Sequence, residues 1–184
     1  ARAALKQEIG AIPDVIHLLF CANGWERKGL EHALKLVSRI NQESPCHLWV
    51  VGRGNQNHYS KQCNELGIMN NVSFQGSQKD VTRWYQMADL LVSPTMYDPF
   101  SNSCLEALAC GCPVITTSSN GASECINSRN GLVVHSPKEV FSEPAVKWAL
   151  NMKHLDRSAI SQSVAELTSG NEIKAYLELL KSND

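Results

Sequence analysis

The chain has 184 residues, of which 43% are apolar and 19% charged, a balance that suits one compact domain with a substantial core. Lys and Arg total 17 against 18 Asp and Glu, and no run of five like charges occurs, so the charge pattern argues against a nucleic-acid partner. The longest apolar run, residues 15–22, is broken by His17 and falls far short of the roughly 20 residues that a membrane span needs. The seven Cys form no C-x-x-C pair and lie mostly in apolar segments, which points to reduced, packed thiols and a cytoplasmic setting. The six His show no metal-ligand spacing, and neither a metal nor a cofactor is expected.

Residues 1–12 suit the end of a linking helix and turn, and the opening ARAALKQEIG lacks Met, so the chain is expected to be a piece cut from a longer protein. Then come short apolar runs separated by stretches of helical period. VIHLLFC (15–21), HLWVVG (47–52), NVSFQG (71–76), DLLVSP (89–94), PVITT (113–117) and GLVVH (131–135) are rich in Val, Ile and Leu with little alternation, as strands covered on both faces are. Between them, Leu30, Ala33, Leu34 and Val37 repeat at helical spacing, as do Val81, Trp84, Tyr85 and Ala88. Leu105, Leu108 and Ala109 predict a third helix, closed by Gly111 with Pro113 beyond it. After residue 136 the strands stop, and Ile173, Tyr176, Leu177 and Leu180 predict a last amphipathic helix in a helical tail over 137–184. The expected fold is α/β, a Rossmann-like three-layer domain with a parallel sheet of about six strands.

In such sheets ligands bind beyond the carboxyl ends of the strands, so the loops there carry the search for function. After the first strand, Asn23 and Gly24 permit a tight turn, and Arg27 and Lys28 stand at the start of the next helix. Cations there lose about 0.3–1 kcal/mol each to the helix dipole unless an anion joins them. A diphosphate would offset that loss, although two solvated side chains on a loop would look the same in sequence. After the fourth strand, Ser101, Asn102 and Ser103 lead a helix whose first N–H groups form a second anion site. Glu106, one turn inside, suits paired hydrogen bonds from ribose hydroxyls, and Asp98, just before Pro99, suits sugar hydroxyls; the plainer roles are a capping-box acid and a turn residue. In the loop after the third strand, Gln78, Lys79 and Asp80 are placed to read a base edge, with helix capping the commoner use of Asp80. Gly52 and Gly54 permit close backbone approach, and Trp25 is more readily packing than a ligand platform.

RKG at 27–29, DPFSNSCLEALACGCPVITT at 98–117 and NGASE at 120–124 resemble the carboxyl-terminal donor-binding domain of GT-B glycosyltransferases of family 4 (group 1). The likeness extends to bacterial lipopolysaccharide core glucosyltransferases and covers nearly the whole chain. It implies that Arg27 and Lys28 bind the donor diphosphate, that Asp98 touches the transferred sugar, and that Glu106 holds the ribose. It further implies that amides of 102–105 (Asn102, Ser103, Cys104, Leu105), beside Phe100 and Ser101, hold phosphate, and that the base lies on Gln78 to Asp80. A UDP-sugar donor, transfer with retention and without metal, and a glycan or glycolipid acceptor on an absent amino-terminal domain are the corresponding expectations. So is peripheral membrane association of the full-length protein. The first acid of the motif is usually Glu and here is Asp98, and many relatives carry an Arg where this chain has Ala22 and Asn23. A non-catalytic nucleotide-binding module of the same fold is the alternative.

Overall fold

In a computed structural model, which describes residues 2–167, a six-stranded parallel sheet runs through the centre of the domain. Its strands are β1 (Ile16–Cys21), β2 (Cys46–Val51), β3 (Val72–Gly76), β4 (Leu90–Ser93), β5 (Val114–Thr117) and β6 (Gly131–Val134). Their order is β3-β2-β1-β4-β5-β6. Crossovers therefore run one way from β1 to β3 and the other way from β4 to β6, which leaves a crevice between the carboxyl ends of β1 and β4. The strand register, with Leu18 opposite Leu48 and Leu90, brings those ends level.

The helices are α1 (Arg2–Ile9), α2 (Leu30–Ile40), α3 (Gln56–Glu65), α4 (Thr82–Met87), α5 (Asn102–Ala109), α6 (Glu143–Asn151) and α7 (Arg157–Gln162). Successive residues of a strand point to opposite faces, and here both faces are covered. Leu18 and Phe20 of β1 join Leu34, Leu48, Tyr59 and Val146 in one core under α2, α3 and α6. Leu19 joins Trp49, Tyr85, Leu91, Cys104 and Ile160 in the other, under α4, α5 and α7. This double covering is why the strands read as continuous apolar runs. All seven Cys are free thiols, four of them buried, and burial pushes Cys46 up to about 12 and Cys63 up to about 11. The third predicted helix ends as expected, with Gly111 at φ 69° and the Cys112 N–H reaching back to Ala107 O at 2.8 Å. α6 and α7 lie in the predicted helical tail, whose last helix, over 173–180, falls outside the described residues.

The helices run against the strands, so α4 and α5 end at the amino edge of the sheet with unpaired carbonyls. Two arginines collect them. Arg157 donates to the carbonyls of Ala88 (2.9 Å), Gln86 (3.2 Å), Cys110 (3.3 Å) and Tyr85 (3.4 Å). Arg2 donates to Ala88 O (3.0 Å), Met87 O (3.1 Å), Gln86 O (3.2 Å) and Asp89 Oδ1 (2.5 Å). Asp89 also accepts from the His17 N–H at 2.8 Å and from Lys6 at 3.2 Å. Burial opposes its ionisation, but the His17 N–H and the two cations outweigh burial and hold its carboxyl below the usual range.

Candidate functional site

The loop from β1 to α2 is shaped by internal packing. Gly24 adopts φ 69°, its N–H meets Arg53 O at 3.1 Å, and Asn23 Oδ1 accepts the Arg53 N–H at 2.9 Å. Trp25 folds beneath, donating to Ala22 O at 3.0 Å with its ring against Tyr59 and Phe74. Gly29, at φ 79°, lies so near the end of β4 that a Cβ would sit 2.0 Å from Pro94 O. That approach locks the Arg27–Lys28 pair against the segment after β4. Met96 N–H donates to Arg27 O at 3.0 Å, and the Arg27 guanidinium donates to Tyr97 O at 2.6 Å. Lys28 forms an ion pair with Asp98, whose side chain is only 8% exposed.

Asp98 is fixed through its own backbone, its N–H on Ser119 O at 3.1 Å and its carbonyl taking the Gly121 N–H at 2.9 Å. Between those two partners sits Asn120, fully buried and fully bonded. Its oxygen accepts the N–H of Ser101 (3.2 Å) and of Ala122 (3.1 Å), and its amide donates to Thr116 Oγ1 (2.9 Å) and Cys104 Sγ (3.4 Å). Asn120 thereby joins the loop after β5 to the start of α5. The hydroxyls of Ser101 and Ser103 bond each other at 2.9 Å, and the N–H groups of Asn102 and Ser103, first in the helix, have no intrahelical acceptor.

Arg27, Lys28, Asp98, Asn23 and residues 100–103 line a cleft of about 360 Å³ at the crevice between β1 and β4. Glu106 lies one turn down α5, exposed, and accepts the Tyr85 hydroxyl on Oε2 at 2.9 Å. It does not bond back to the start of the helix as a capping-box acid would. Tyr85 is 1% exposed, and burial, then Cys21 and Glu106, push its hydroxyl far up, so its proton stays on the phenol as the donor of that bond.

Several residues grouped in the sequence reading are not brought into this cleft. Gln78, Lys79 and Asp80 line a separate depression of about 370 Å³ with Ile9, Arg83 and Trp84. Asp80 accepts the Thr82 N–H at 3.0 Å, a capping bond, and Gln78 donates to Gln75 O at 2.8 Å. Gly52 is needed for packing within the chain, since a Cβ there would meet Ala22 O at 2.0 Å, and Gly54 likewise admits the Trp25 ring at 2.2 Å. Cys104 is buried with its N–H on Ser101 O at 3.0 Å, and Leu105 packs on the core, so neither offers a free group to the cleft. The sequence gives no site role to Tyr85 or Asn120: Tyr85 reads as one more apolar helix position, and Asn120 enters only as the first residue of the NGASE segment of the resemblance. A larger cleft of about 730 Å³ between α2 and α3 shares only Arg27 with the first and contains neither the buried acid nor the start of α5. Among the described residues, no group of three or more His, Cys, Asp or Glu is arranged to hold a metal ion, and no helix is long and apolar enough to cross a membrane.

The family profile described as "Glycosyl transferases group 1" matches residues 16–147, which span all six strands, α2 to α5 and the cleft. The chain belongs to the group 1 glycosyltransferases. An uncharacterised glycosyltransferase of Methanocaldococcus jannaschii is 31% identical over 79% of the chain and 37% of its own length. The lipopolysaccharide glucosyltransferase WaaG of Escherichia coli is 27% identical over 97% of the chain and 46% of its own length. The chain thus spans less than half of either relative. Among solved structures, Anabaena HepE in complex with UDP-glucose superposes with a TM-score of 0.66 at 22% identity, over 91% of the chain and 52% of that protein. At that identity the likeness concerns the fold, a three-layer α/β domain shared with GT-B glycosyltransferases.

Proposed function

We propose that this chain is the donor-binding, carboxyl-terminal half of a retaining GT-B glycosyltransferase and that it takes a nucleoside-diphosphate sugar, with UDP as the nucleotide. The observation that carries the reading is the meeting of two cations, a buried acid and an open helix start in one cleft at the crevice between β1 and β4. Arg27, Lys28 and the N–H groups of Asn102 and Ser103 face the diphosphate and stabilise the charge that grows on it as it leaves. Asp98 holds the sugar, and Glu106 takes the ribose hydroxyls on the oxygen that Tyr85 leaves open. HepE, with the same fold, is described in complex with UDP-glucose, which supports the choice of nucleotide. The relatives' greater length supports an amino-terminal domain for the glycan or glycolipid acceptor, and the chain alone then binds donor without transferring sugar.

Calorimetric titration with UDP, GDP and ADP and their glucose conjugates tests this. UDP-glucose is expected to bind more tightly than about 1 mM, a free energy near −4 kcal/mol. Glu106→Ala is expected to weaken the nucleotide with or without its sugar. Binding of UDP with no preference for any attached sugar would instead indicate a nucleotide-binding module, and no binding of any of the six ligands would sink the reading.

A further inference from the structure

The Lys28–Asp98 ion pair raises a question that the donor reading leaves open. A cleft built to receive a diphosphate spends part of its positive charge on an internal carboxylate. Asp98 is the only acid lining the cleft among the described residues, beside the two cations Arg27 and Lys28. Its backbone is clamped on Ser119 and Gly121 and bridged to Asn120, which roots the carboxylate at the cleft wall. With side chains 8% and 17% exposed, Asp98 and Lys28 lie where water screens charge weakly.

We propose, resting on the donor reading, that Asp98 sets the balance between the sugar-bearing nucleotide and the spent one by opposing the extra charge of a bare terminal phosphate. While the sugar is attached, each phosphate carries one charge and hydroxyls face Asp98. Once the sugar has gone, the terminal phosphate is held only through its anhydride oxygen and, like a phosphomonoester, gains a second ionisation near pH 6, for a charge of about −1.5 to −2 at neutral pH. That added charge develops where the sugar was, next to a fixed carboxylate. Lys28 has donors left for the phosphate after pairing with Asp98, but its single charge cannot balance both the carboxylate and the added phosphate charge. The acid therefore accepts sugar hydroxyls in the donor complex and repels the product left behind.

Three probes separate charge from sugar contact: UDP, its terminal methyl ester, which lacks both the sugar and the extra charge, and UDP-glucose. They are titrated into the 184-residue chain and into Asp98→Asn, which is isosteric and keeps an oxygen for Lys28. The variant is expected to bind UDP about five- to tenfold more tightly, the methyl ester about two- to threefold, and UDP-glucose no more tightly than the unmodified chain does. Asp98→Ser, a second neutral replacement, is expected to give the same order. Melting curves run alongside, because both variants leave Lys28 without its counter-ion, and either variant that stays folded carries the test. An unchanged or weakened affinity for UDP, or an equal factor for all three probes, would overturn the proposal while leaving the donor reading intact. Failure of the unmodified chain to bind any probe would overturn both.

Discussion

The two edges of the sheet carry similar clusters of charge and use them in opposite ways. At the amino edge Arg2, Lys6, Arg157 and Asp89 surround the ends of α4 and α5, and the two guanidinium groups are spent on main-chain carbonyls and on Asp89. At the carboxyl edge the Arg27 side chain makes one hydrogen bond, to Tyr97 O, the Lys28 side chain one, to Asp98, and the N–H groups of Asn102 and Ser103 at the start of α5 remain open. A guanidinium offers five N–H donors, so the count of those already used separates a cluster that closes the fold from one that awaits a partner. Residue type alone does not make that distinction.

The sharpest break of the comparison is Arg157→Ala. It orphans the carbonyl ends of two helices at once, with an expected loss of about 2–4 kcal/mol in urea denaturation and little change in UDP affinity among folded molecules. Arg27→Ala is the mirror experiment. Calorimetry is expected to show UDP-glucose weakened roughly tenfold, with stability within about 0.5 kcal/mol of the parent, because the side chain is exposed. If both variants lose stability alike, the two edges do not differ in kind.

Tyr85→Phe probes the seam between them, since Tyr85 sits in the core with its hydroxyl on Glu106. Removing one neutral donor to a carboxylate is expected to cost about 1 kcal/mol of stability and a few-fold in nucleotide affinity. An affinity loss that Glu106→Gln abolishes would assign the effect to Glu106.

The smallest expected effect is that of pH. Near the amino edge His17 and His47 are buried. His17 Nε2 bonds Ile12 O at 3.0 Å while its Nδ1 accepts from the Trp49 indole at 3.2 Å, an arrangement that needs the neutral ring. Burial lowers His17, and burial followed by the charge of His17 lowers His47 to about 4. A group depressed on folding contributes stability above its unfolded value near 6.5 and loses it as pH falls toward the folded one. The melting temperature is therefore expected to hold above pH 7 and to fall between pH 6.5 and 4, and His47→Gln to flatten that slope.

Much of the fold was legible because burial on both faces writes a parallel strand as an unbroken apolar run. All six strands lie within a residue or so of their predicted places. α3 was not legible, since only Tyr59 and Cys63 of its ten residues are buried and no apolar stripe marks it. The loops holding Arg27, Lys28 and Asp98 could be assigned to one edge from the strand pattern alone. What joins them could not. The partners of Lys28 and Arg157 lie between 47 and 72 residues away in the chain, and Asn120 ties three segments that no local pattern connects. Gly52 illustrates the converse: a glycine shows that something approaches the backbone, and here it is Ala22 of the same chain.

Backbone amide NMR during titration with UDP-glucose tests the donor reading most directly, because both edges are seen in one experiment. The expected result is saturable shifts at Arg27, Lys28, Asn102, Ser103 and Glu106, with Arg2, Asp89 and Arg157 unmoved. Shifts confined to the amino edge or to the cleft between α2 and α3, or none at millimolar ligand, would contradict it.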